Sequence, residues 1–198
     1  YIIKKLPIKS TTIGYYHSLV SKEFMTYQYL QSEWDSKIKP DFVACSGKIG
    51  ENQLLKQGVP QKKLLSAAAL RQSISENKIL KKNPTKQLLI LLPMTMEQNI
   101  ETLMKIYSNN SLIINELKLK VKVKNHPMLK AEHVLKKIKW NKLPDDWEWA
   151  EKNLYSELDD SYCCVAMDTA SVYDAVLKGN IVISLMSDLN VMDNYLDI

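Results

Sequence analysis

The sequence contains little glycine and little cysteine, and each shortage excludes a class of functional site. Only five glycines occur among its 198 residues. Neither GxGxxG nor GxxxxGK[ST] is present, which excludes the glycine-rich phosphate loops of dinucleotide-binding and P-loop enzymes. The GxSxG nucleophile elbow is missing too. The three cysteines, Cys45, Cys163 and Cys164, form no CxxC pair and no Cys/His cluster, which argues against zinc and indicates a reducing compartment such as the cytoplasm.

Long apolar runs and arginine-rich motifs are also missing. No apolar stretch reaches the roughly 18 residues that a membrane-spanning helix needs, and no signal peptide is visible. The net charge of +5 comes mainly from lysines spread along the chain. Such a charge is typical of a solvated surface, and attraction to a nucleotide or an acidic lipid surface is the alternative. No motif of a nucleic-acid module occurs, so we expect no nucleic-acid partner.

The residues that are present predict an α/β protein. Apolar runs of strand length, "FVACS", "QLLILL", "YCCVAM" and "NIVISL", alternate with helical segments, which predicts parallel strands joined by right-handed crossovers. Thr95 and Gln98 have the spacing of a capping box and mark one helix start. Gly58 and Gly179 are predicted to end helices. The segment "KWNKLPDDWEWAEKNLYSELDDS", rich in tryptophan and acid, is interpreted as a loop and a helix.

Two α/β lobes are predicted from the order of these segments. Residues 1–75 would form the first lobe and residues 87–198 the second. The polar, proline-containing stretch between them predicts a linker over residues 76–86. The sequence stops shortly after a strand with no closing helix, so we expect the second lobe to be truncated.

The stretch "LKLKVKVKNHPML" alternates apolar residues with lysine and then runs into Asn-His-Pro. This pattern predicts a strand, Leu117 to Asn125, with one dry and one wet face. Such a strand lies near a sheet edge, where lysines oppose aggregation, or its lysine face opens onto a cleft. Taken alone, His126 is either a functional group or part of a strand-ending turn.

Ligands of open parallel sheets bind beyond the carboxyl ends of the strands. That rule selects Lys124-Asn125-His126-Pro127, which offers a cation, an amide and an imidazole to an anion. It also selects Asp168-Thr169-Ala170-Ser171 at a helix start, where backbone N–H groups and hydroxyls favour anions. Plain N-capping is the simpler interpretation of this second loop. Asp174 suits a ribose or sugar hydroxyl, or is simply an acid near a helix start.

His17 ends the first predicted strand. Because the pKa of an unperturbed histidine lies near neutrality, His17 is a candidate general base. The alternative is a loop histidine beside Tyr15 and Tyr16.

The order of two motifs adds a family resemblance. "KNHP" (124–127) and "DTASVYDAVLKGNIVISL" (168–185) resemble the C-terminal, donor-binding half of GT-B glycosyltransferases. The nearest types are the bacterial enzymes of capsule and lipopolysaccharide synthesis, including sialyl- and Kdo-transferases, and the related teichoic-acid glycerophosphotransferases. "KPDFVACSGKIGENQLLKQGVPQKKLLSAAALR" is similar to the last β-α-β unit of the N-terminal, acceptor-side lobe, with its Gly58-Val59-Pro60 turn and Arg71. "GYYHS" resembles a histidine-bearing loop at the cleft.

The resemblance implies a fold, a reaction and a set of site residues. The fold would consist of Rossmann-like parallel sheets of the GT-B kind. His126 would stabilise the departing phosphate and His17 would deprotonate the acceptor. Asp174 stands where the family more often has glutamate, which leaves its sugar contact in question. The implied donor nucleotide and phosphate ligands are Lys124, His126, Pro127, Thr169, Ser171, Asp174 and Arg71.

The resemblance implies a cytoplasmic enzyme of the bacterial cell envelope. It would transfer a sugar from a nucleotide-activated donor, with CMP-linked sugars as one option, to a glycan or lipid-linked acceptor. Peripheral association with the inner membrane is compatible with it. No metal or other cofactor is expected, since lysine, histidine and a helix start supply positive charge. A CDP-glycerol-type phosphotransferase and a non-catalytic nucleotide- or partner-binding module are the alternatives.

Overall fold

A computed structural model of the chain describes residues 10–16, 39–67 and 85–187. The chain divides into two compact units between Ile74 and Ser75. The predicted linker, residues 76–86, falls largely outside the described residues, and the predicted lobe boundaries stay predictions.

The first unit contains a parallel three-stranded sheet in the order β1-β2-β3. Its elements are β1 (Ile13–Tyr16), β2 (Phe42–Ser46), α1 (Gly47–Lys56), a 3₁₀ turn (Gln61–Lys63) and β3 (Leu64–Ala67). Val43, Cys45, Leu54 and Val59 form its buried core. Gly58 is the second residue after α1, next to the C-cap Gln57. Its φ of 93° is a conformation that favours glycine, so the predicted helix stop is confirmed.

The second unit contains a parallel five-stranded sheet flanked by helices. Its strands are β4 (Gln87–Leu91), β5 (Lys120–Lys124), β6 (Trp147–Trp149), β7 (Cys163–Ala166) and β8 (Ile181–Ser184). Its helices are α2 (Met96–Tyr107), a π-helical turn (Leu112–Glu116), α3 (Ala131–Lys137), α4 (Leu154–Asp160) and α5 (Ser171–Leu177). Gly179, with φ of 73°, ends α5 as predicted.

The strand order of this sheet is β6-β5-β4-β7-β8. The chain first moves outward from β4 through β5 to β6, then returns to the other side of β4 with β7 and β8. This is the arrangement of Rossmann-like folds, and it creates a switch point between β4 and β7. Every strand pair within the sheet is parallel, so the predicted α/β fold class is confirmed.

The core lies on both faces of β4, whose five residues are all buried. On one face Leu88 and Ile90 pack with Val121, Val123 and residues of α2 and α3. On the other face Leu89 and Leu91 pack with residues of β7, α4 and α5. Burial on both faces explains why this strand is apolar throughout. Among the described residues, no helix is long and apolar enough to cross a membrane.

Two local predictions need correction. The strand predicted from Leu117 to Asn125 begins only at Lys120, because Lys118 adopts a left-handed φ of 53° that interrupts an extended chain. The segment interpreted as a loop and a helix also contributes a strand, β6, before α4. Since β6 pairs with β5, the lysine strand is second from the sheet edge, and its Lys122 lines a cavity beside β6.

Two of the three lysines of β5, Lys122 and Lys124, contact the segment that follows β6. The ammonium of Lys122 lies 3.5 Å from the carboxylate of Glu157, which is completely buried. The ammonium of Lys124 donates hydrogen bonds to the backbone carbonyls of Ala150, at 3.1 Å, and of Lys152. Lys122 and Lys124 therefore connect β5 to the segment that follows β6.

Candidate functional site

The switch point brings the ends of three strands together. Leu91 of β4 is in register with Lys124 of β5 and with Ala166 of β7. Because all three strands are parallel, their following loops, residues 92–95, 125–129 and 167–170, emerge at one edge of the sheet. We call these three loops the switch-point site.

The loop after β4 is joined to the loop after β7 by side chains. The Thr95 hydroxyl donates to Gln98 Oε1 at 2.6 Å, and Gln98 Nε2 donates to Asp168 Oδ2 at 2.8 Å. The predicted helix start at Thr95 is confirmed. The side chains of Thr95 and Gln98 bond to each other and to Asp168, rather than to the backbone N–H groups that a capping box uses.

Asn99 fixes the same loop from inside the protein. It is completely buried, and its side-chain amide donates to the carbonyls of Pro93, at 2.8 Å, and of Thr95. Buried polar groups normally find partners, because an unpaired one costs about 1–3 kcal/mol. These contacts hold the turn between β4 and α2 in one conformation. Sequence analysis missed Gln98 and Asn99 as site residues, and the only signal was a pair of amides just inside a helix start.

Asp168 has a left-handed backbone, with φ of 46°. For a residue other than glycine this conformation is uncommon, although aspartate tolerates it better than most. The bond from Gln98 lies 70 positions away in sequence and holds the carboxylate beside the loop after β4. Strained residues that the surrounding structure holds in place cluster at functional sites, so Asp168 is a further candidate.

Thr169 and Ser171 lie where the motif predicts them, at the start of α5. Thr169 is buried, and its hydroxyl accepts a long hydrogen bond, 3.4 Å, from the backbone N–H of Ser171. Its carbonyl accepts from Val172 N at 3.1 Å. These contacts form a turn that leads into α5, whose N-cap is Ala170 without a side-chain cap bond, so the simpler interpretation as side-chain N-capping is wrong. Thr169 lies in the loop after β7, and Ser171 is the first residue of α5. Phosphate binding by the two residues stays a prediction.

His126 lies in the loop after β5 and is partly exposed. The backbone N–H of Met128 donates to its Nδ1 at 3.2 Å, and its carbonyl accepts from Leu129 N at 3.1 Å. The side-chain amide of Asn125 closes the turn by donating to the Leu129 carbonyl. Because Nδ1 accepts, a neutral His126 carries its proton on Nε2. Pro127, next in the turn, is exposed.

Lys124 and Asp174 have other partners. The contacts of Lys124 to the carbonyls of Ala150 and Lys152 occupy its ammonium within the protein. Asp174 is buried, and its Oδ1 accepts a hydrogen bond from the Tyr155 hydroxyl at 3.2 Å. Both residues therefore brace the elements around the site. Their contacts to a donor stay predictions.

The remaining predicted residues, His17 and Arg71, lie outside the described residues. Among the residues that the structure does describe, no group of three or more histidine, cysteine, aspartate or glutamate side chains is arranged to hold a metal. The three cysteines are buried and form no disulfide. Burial raises the pKa of the Cys163 thiol, so it stays protonated and unreactive near neutral pH.

A cavity of about 580 Å³ lies beside β6 rather than at the switch point. Its charged lining consists of Lys122, Lys142, Lys152, Asp145, Glu148, Glu151 and Glu157. Three cations against four anions leave a formal charge of −1, which disfavours a nucleotide phosphate. The switch-point site therefore remains the better candidate for a nucleotide.

Comparison with known proteins gives a fold likeness. No family model matches the chain, and no curated protein matches its sequence. A crystal structure of Methanocaldococcus jannaschii UDP-GlcNAc 2-epimerase in complex with UDP-GlcNAc and UDP is similar, with 14% identity and a TM-score of 0.51. The match covers 77% of this chain and 62% of that one, so the chain spans less than two thirds of the epimerase. Another structure of the enzyme matches with 18% identity and a TM-score of 0.47 over 74% of this chain and 46% of that one.

The likeness concerns the fold. It confirms the expectation of an α/β protein with Rossmann-like parallel sheets of the GT-B-like kind.

Proposed function

We propose that the switch-point site binds a nucleotide-activated sugar and that the enzyme transfers this sugar to a bacterial surface glycan. The observation that carries the proposal is the hydrogen bond of 2.8 Å between Gln98 and Asp168, which joins the loops on either side of the switch point. Open α/β sheets bind their ligands at this position. His126 is on the adjacent loop of the same edge.

The groups at the site divide between phosphate and hydroxyl chemistry. The Nε2–H of His126 and the hydroxyls of Thr169 and Ser171 are donors that suit a phosphate oxygen. As the bond to the sugar breaks, negative charge grows on that phosphate, so these hydrogen bonds strengthen in the transition state. The carboxylate of Asp168 would repel a phosphate and suits sugar or ribose hydroxyls instead. His17 remains the proposed base for the acceptor.

The fold likeness supports a nucleotide-sugar ligand, since the similar epimerase was crystallised with UDP-GlcNAc and UDP. It also favours a second candidate function, in which the chain converts a nucleotide sugar without an acceptor. The motif resemblance keeps a CDP-glycerol-type phosphotransferase as an alternative. The three are separated by their products: a glycosylated acceptor, an epimerised sugar, or glycerol phosphate attached to an acceptor.

Calorimetric titration of the purified chain with CMP, CDP and UDP tests the proposal. We expect one nucleotide to bind and His126→Ala to weaken that binding about tenfold, the loss of one charge-assisted hydrogen bond of about 1.5 kcal/mol. His133→Ala is the matched control, because His133 is an exposed histidine of α3. Equal binding by the His126→Ala variant and the parent chain would overturn the assignment of His126.

The preferred nucleotide separates the candidate reactions. Preference for CMP favours the sialyl or Kdo type of transfer, and preference for CDP with turnover of CDP-glycerol favours the phosphotransferase. Turnover of UDP-GlcNAc in the absence of any acceptor would replace sugar transfer by epimerisation.

A further inference from the structure

The tryptophan-rich segment before α4 has no part in the switch-point site. Three of the four tryptophans of the sequence, Trp140, Trp147 and Trp149, occur within ten residues of one another. They lie at β6 and just before it, and Tyr107 at the end of α2 joins them. Helices of a parallel sheet run back against their strands. The end of α2 and the start of β6 therefore lie at the sheet edge opposite the switch-point site.

The rings of Tyr107, Trp140 and Trp147 form an edge-to-face aromatic cluster. The ring centroids of Tyr107 and Trp140 are 5.1 Å apart, and each of these centroids lies 6.2 Å from the centroid of Trp147. All three pairs have edge-to-face geometry. Trp147 is the buried member, and its indole N–H donates to Asn110 Oδ1 at 2.7 Å. Tyr107 is 45% exposed, and Trp140 is partly exposed. Two aromatic rings are thus held at the surface on a rigid support.

A cavity of about 480 Å³ opens against these two rings. Its lining residues are Tyr107, Asn110, Lys139, Trp140, Asn141, Lys142, Leu143, Pro144, Asp145 and Asp146. The volume falls within the range of about 300–1,000 Å³ that is usual for small-molecule sites. The wall formed by residues 142–145 also borders the cavity beside β6, so the two concavities adjoin along one surface.

The charges of the lining select against ions. Lys139 and Lys142 balance Asp145 and Asp146, and Lys142 already pairs with Asp145 at 2.5 Å. A formal charge of zero gives no net attraction for a phosphate or a cation. The polar groups that remain are the amides of Asn110 and Asn141, the carboxylate of Asp146 and the ammonium of Lys139. Asn110 contributes amide N–H donors, because its carbonyl oxygen is engaged by Trp147.

We infer that this cavity is a binding site for a neutral carbohydrate. The faces of Tyr107 and Trp140 would stack on the C–H faces of sugar rings, and Asn110, Asn141 and Asp146 would bond the hydroxyls. Aromatic surface combined with a few placed polar groups is the composition that orients such ligands. The site is separate from the switch-point site and its chemistry does not depend on the proposed transfer. The adjoining concavity gives an oligosaccharide room to continue.

Binding of short oligosaccharides of glucose, galactose and N-acetylglucosamine by the full 198-residue chain tests the inference. Tryptophan fluorescence is the readout, because Trp140 lines the cavity. Inorganic phosphate and oligosialic acid serve as the anionic probes. We expect at least one neutral oligosaccharide to bind and to change the fluorescence. Preference for an anionic probe, or no response to any neutral one, would overturn the inference.

Variants locate the binding. Tyr107→Ala should weaken it about tenfold, the effect of about 1.4 kcal/mol from one lost stacking contact. Tyr162→Ala is the matched control, since Tyr162 is 47% exposed and does not line the cavity. Asp146→Leu gives a second test that leaves the aromatic cluster intact, and circular dichroism verifies the fold of each variant. Unchanged binding by both cavity variants would contradict the site.

Competition with nucleotide separates this inference from the proposed function. A nucleotide at the switch-point site should leave the oligosaccharide affinity unchanged, because the two sites lie at opposite sheet edges. Direct competition would place the oligosaccharide at the switch-point site and overturn the second site. Failure of nucleotide binding, with oligosaccharide binding intact, would refute only the proposed function.

Discussion

The buried pair of Lys122 and Glu157 gives the sharpest stability prediction. Glu157 has no exposed surface, and its Oε1 accepts a hydrogen bond from the backbone N–H of Lys152 at 3.0 Å. The Lys122 ammonium lies 3.5 Å from Oε2, and its side chain is 21% exposed. Lys122→Met keeps the aliphatic packing and removes the charge that faces the buried carboxylate.

The expected costs are asymmetric. Breaking a buried pair from one side costs about 3–5 kcal/mol, and the partial exposure of Lys122 places this case near about 3 kcal/mol. Glu157→Gln keeps an acceptor for Lys152 N and leaves an ammonium that reaches solvent, so it should cost about 1 kcal/mol. The double variant removes both charges and should cost about 2 kcal/mol, less than Lys122→Met alone.

Urea denaturation followed by circular dichroism measures these free energies of unfolding. Lys120→Met is the control, because Lys120 is an exposed lysine on the same strand and surface substitutions usually change stability by less than about 0.5 kcal/mol. The reasoning is refuted if Lys122→Met costs no more than Glu157→Gln. It is also refuted if the double variant costs the sum of the two single variants.

Two further predictions concern the loops and pH. Gln98→Leu removes the bond to Asp168 and should weaken nucleotide binding about tenfold, through the loss of about 1–1.5 kcal/mol; calorimetry that finds the parent affinity would contradict the role of this bond. Burial raises the pKa of Tyr173 to about 12 from 10.0, so the folded protein keeps a proton that the unfolded chain loses. The stability from this group is complete below pH 10 and is lost as the pH rises to about 12. Tyr173→Phe should therefore lose less stability over that interval, and equal losses in urea titrations would exclude this account.

The central elements of the fold could be predicted because their residues carry the signal themselves. The run in β4 is apolar on both faces, a pattern typical of a strand that is covered on both sides of the sheet. Gly58 and Gly179 end helices because their positive φ angles suit glycine. Thr95 is the N-cap residue of α2, a position that favours small polar residues.

The features that escaped sequence analysis depend on distant partners. The three residues of β6 are too few to give a periodic signal, and they form a strand because they pair with β5. The alternating lysines predict a strand near the sheet edge or facing a cleft, but they do not indicate the partners of Lys122 and Lys124. Those partners, Glu157 and the carbonyls after β6, come from a later part of the chain. The contact between Gln98 and Asp168 spans 70 positions, so no local spacing indicates it.

Hydrogen exchange of backbone amides, with and without nucleotide, tests the central claim most directly. The chain would be saturated with whichever of CMP, CDP and UDP binds most tightly. Binding at the switch-point site predicts slower exchange in residues 92–99, 125–129 and 167–172, with residues 139–146 unchanged. Protection confined to residues 139–146, or no protection with any of the three nucleotides, would contradict it.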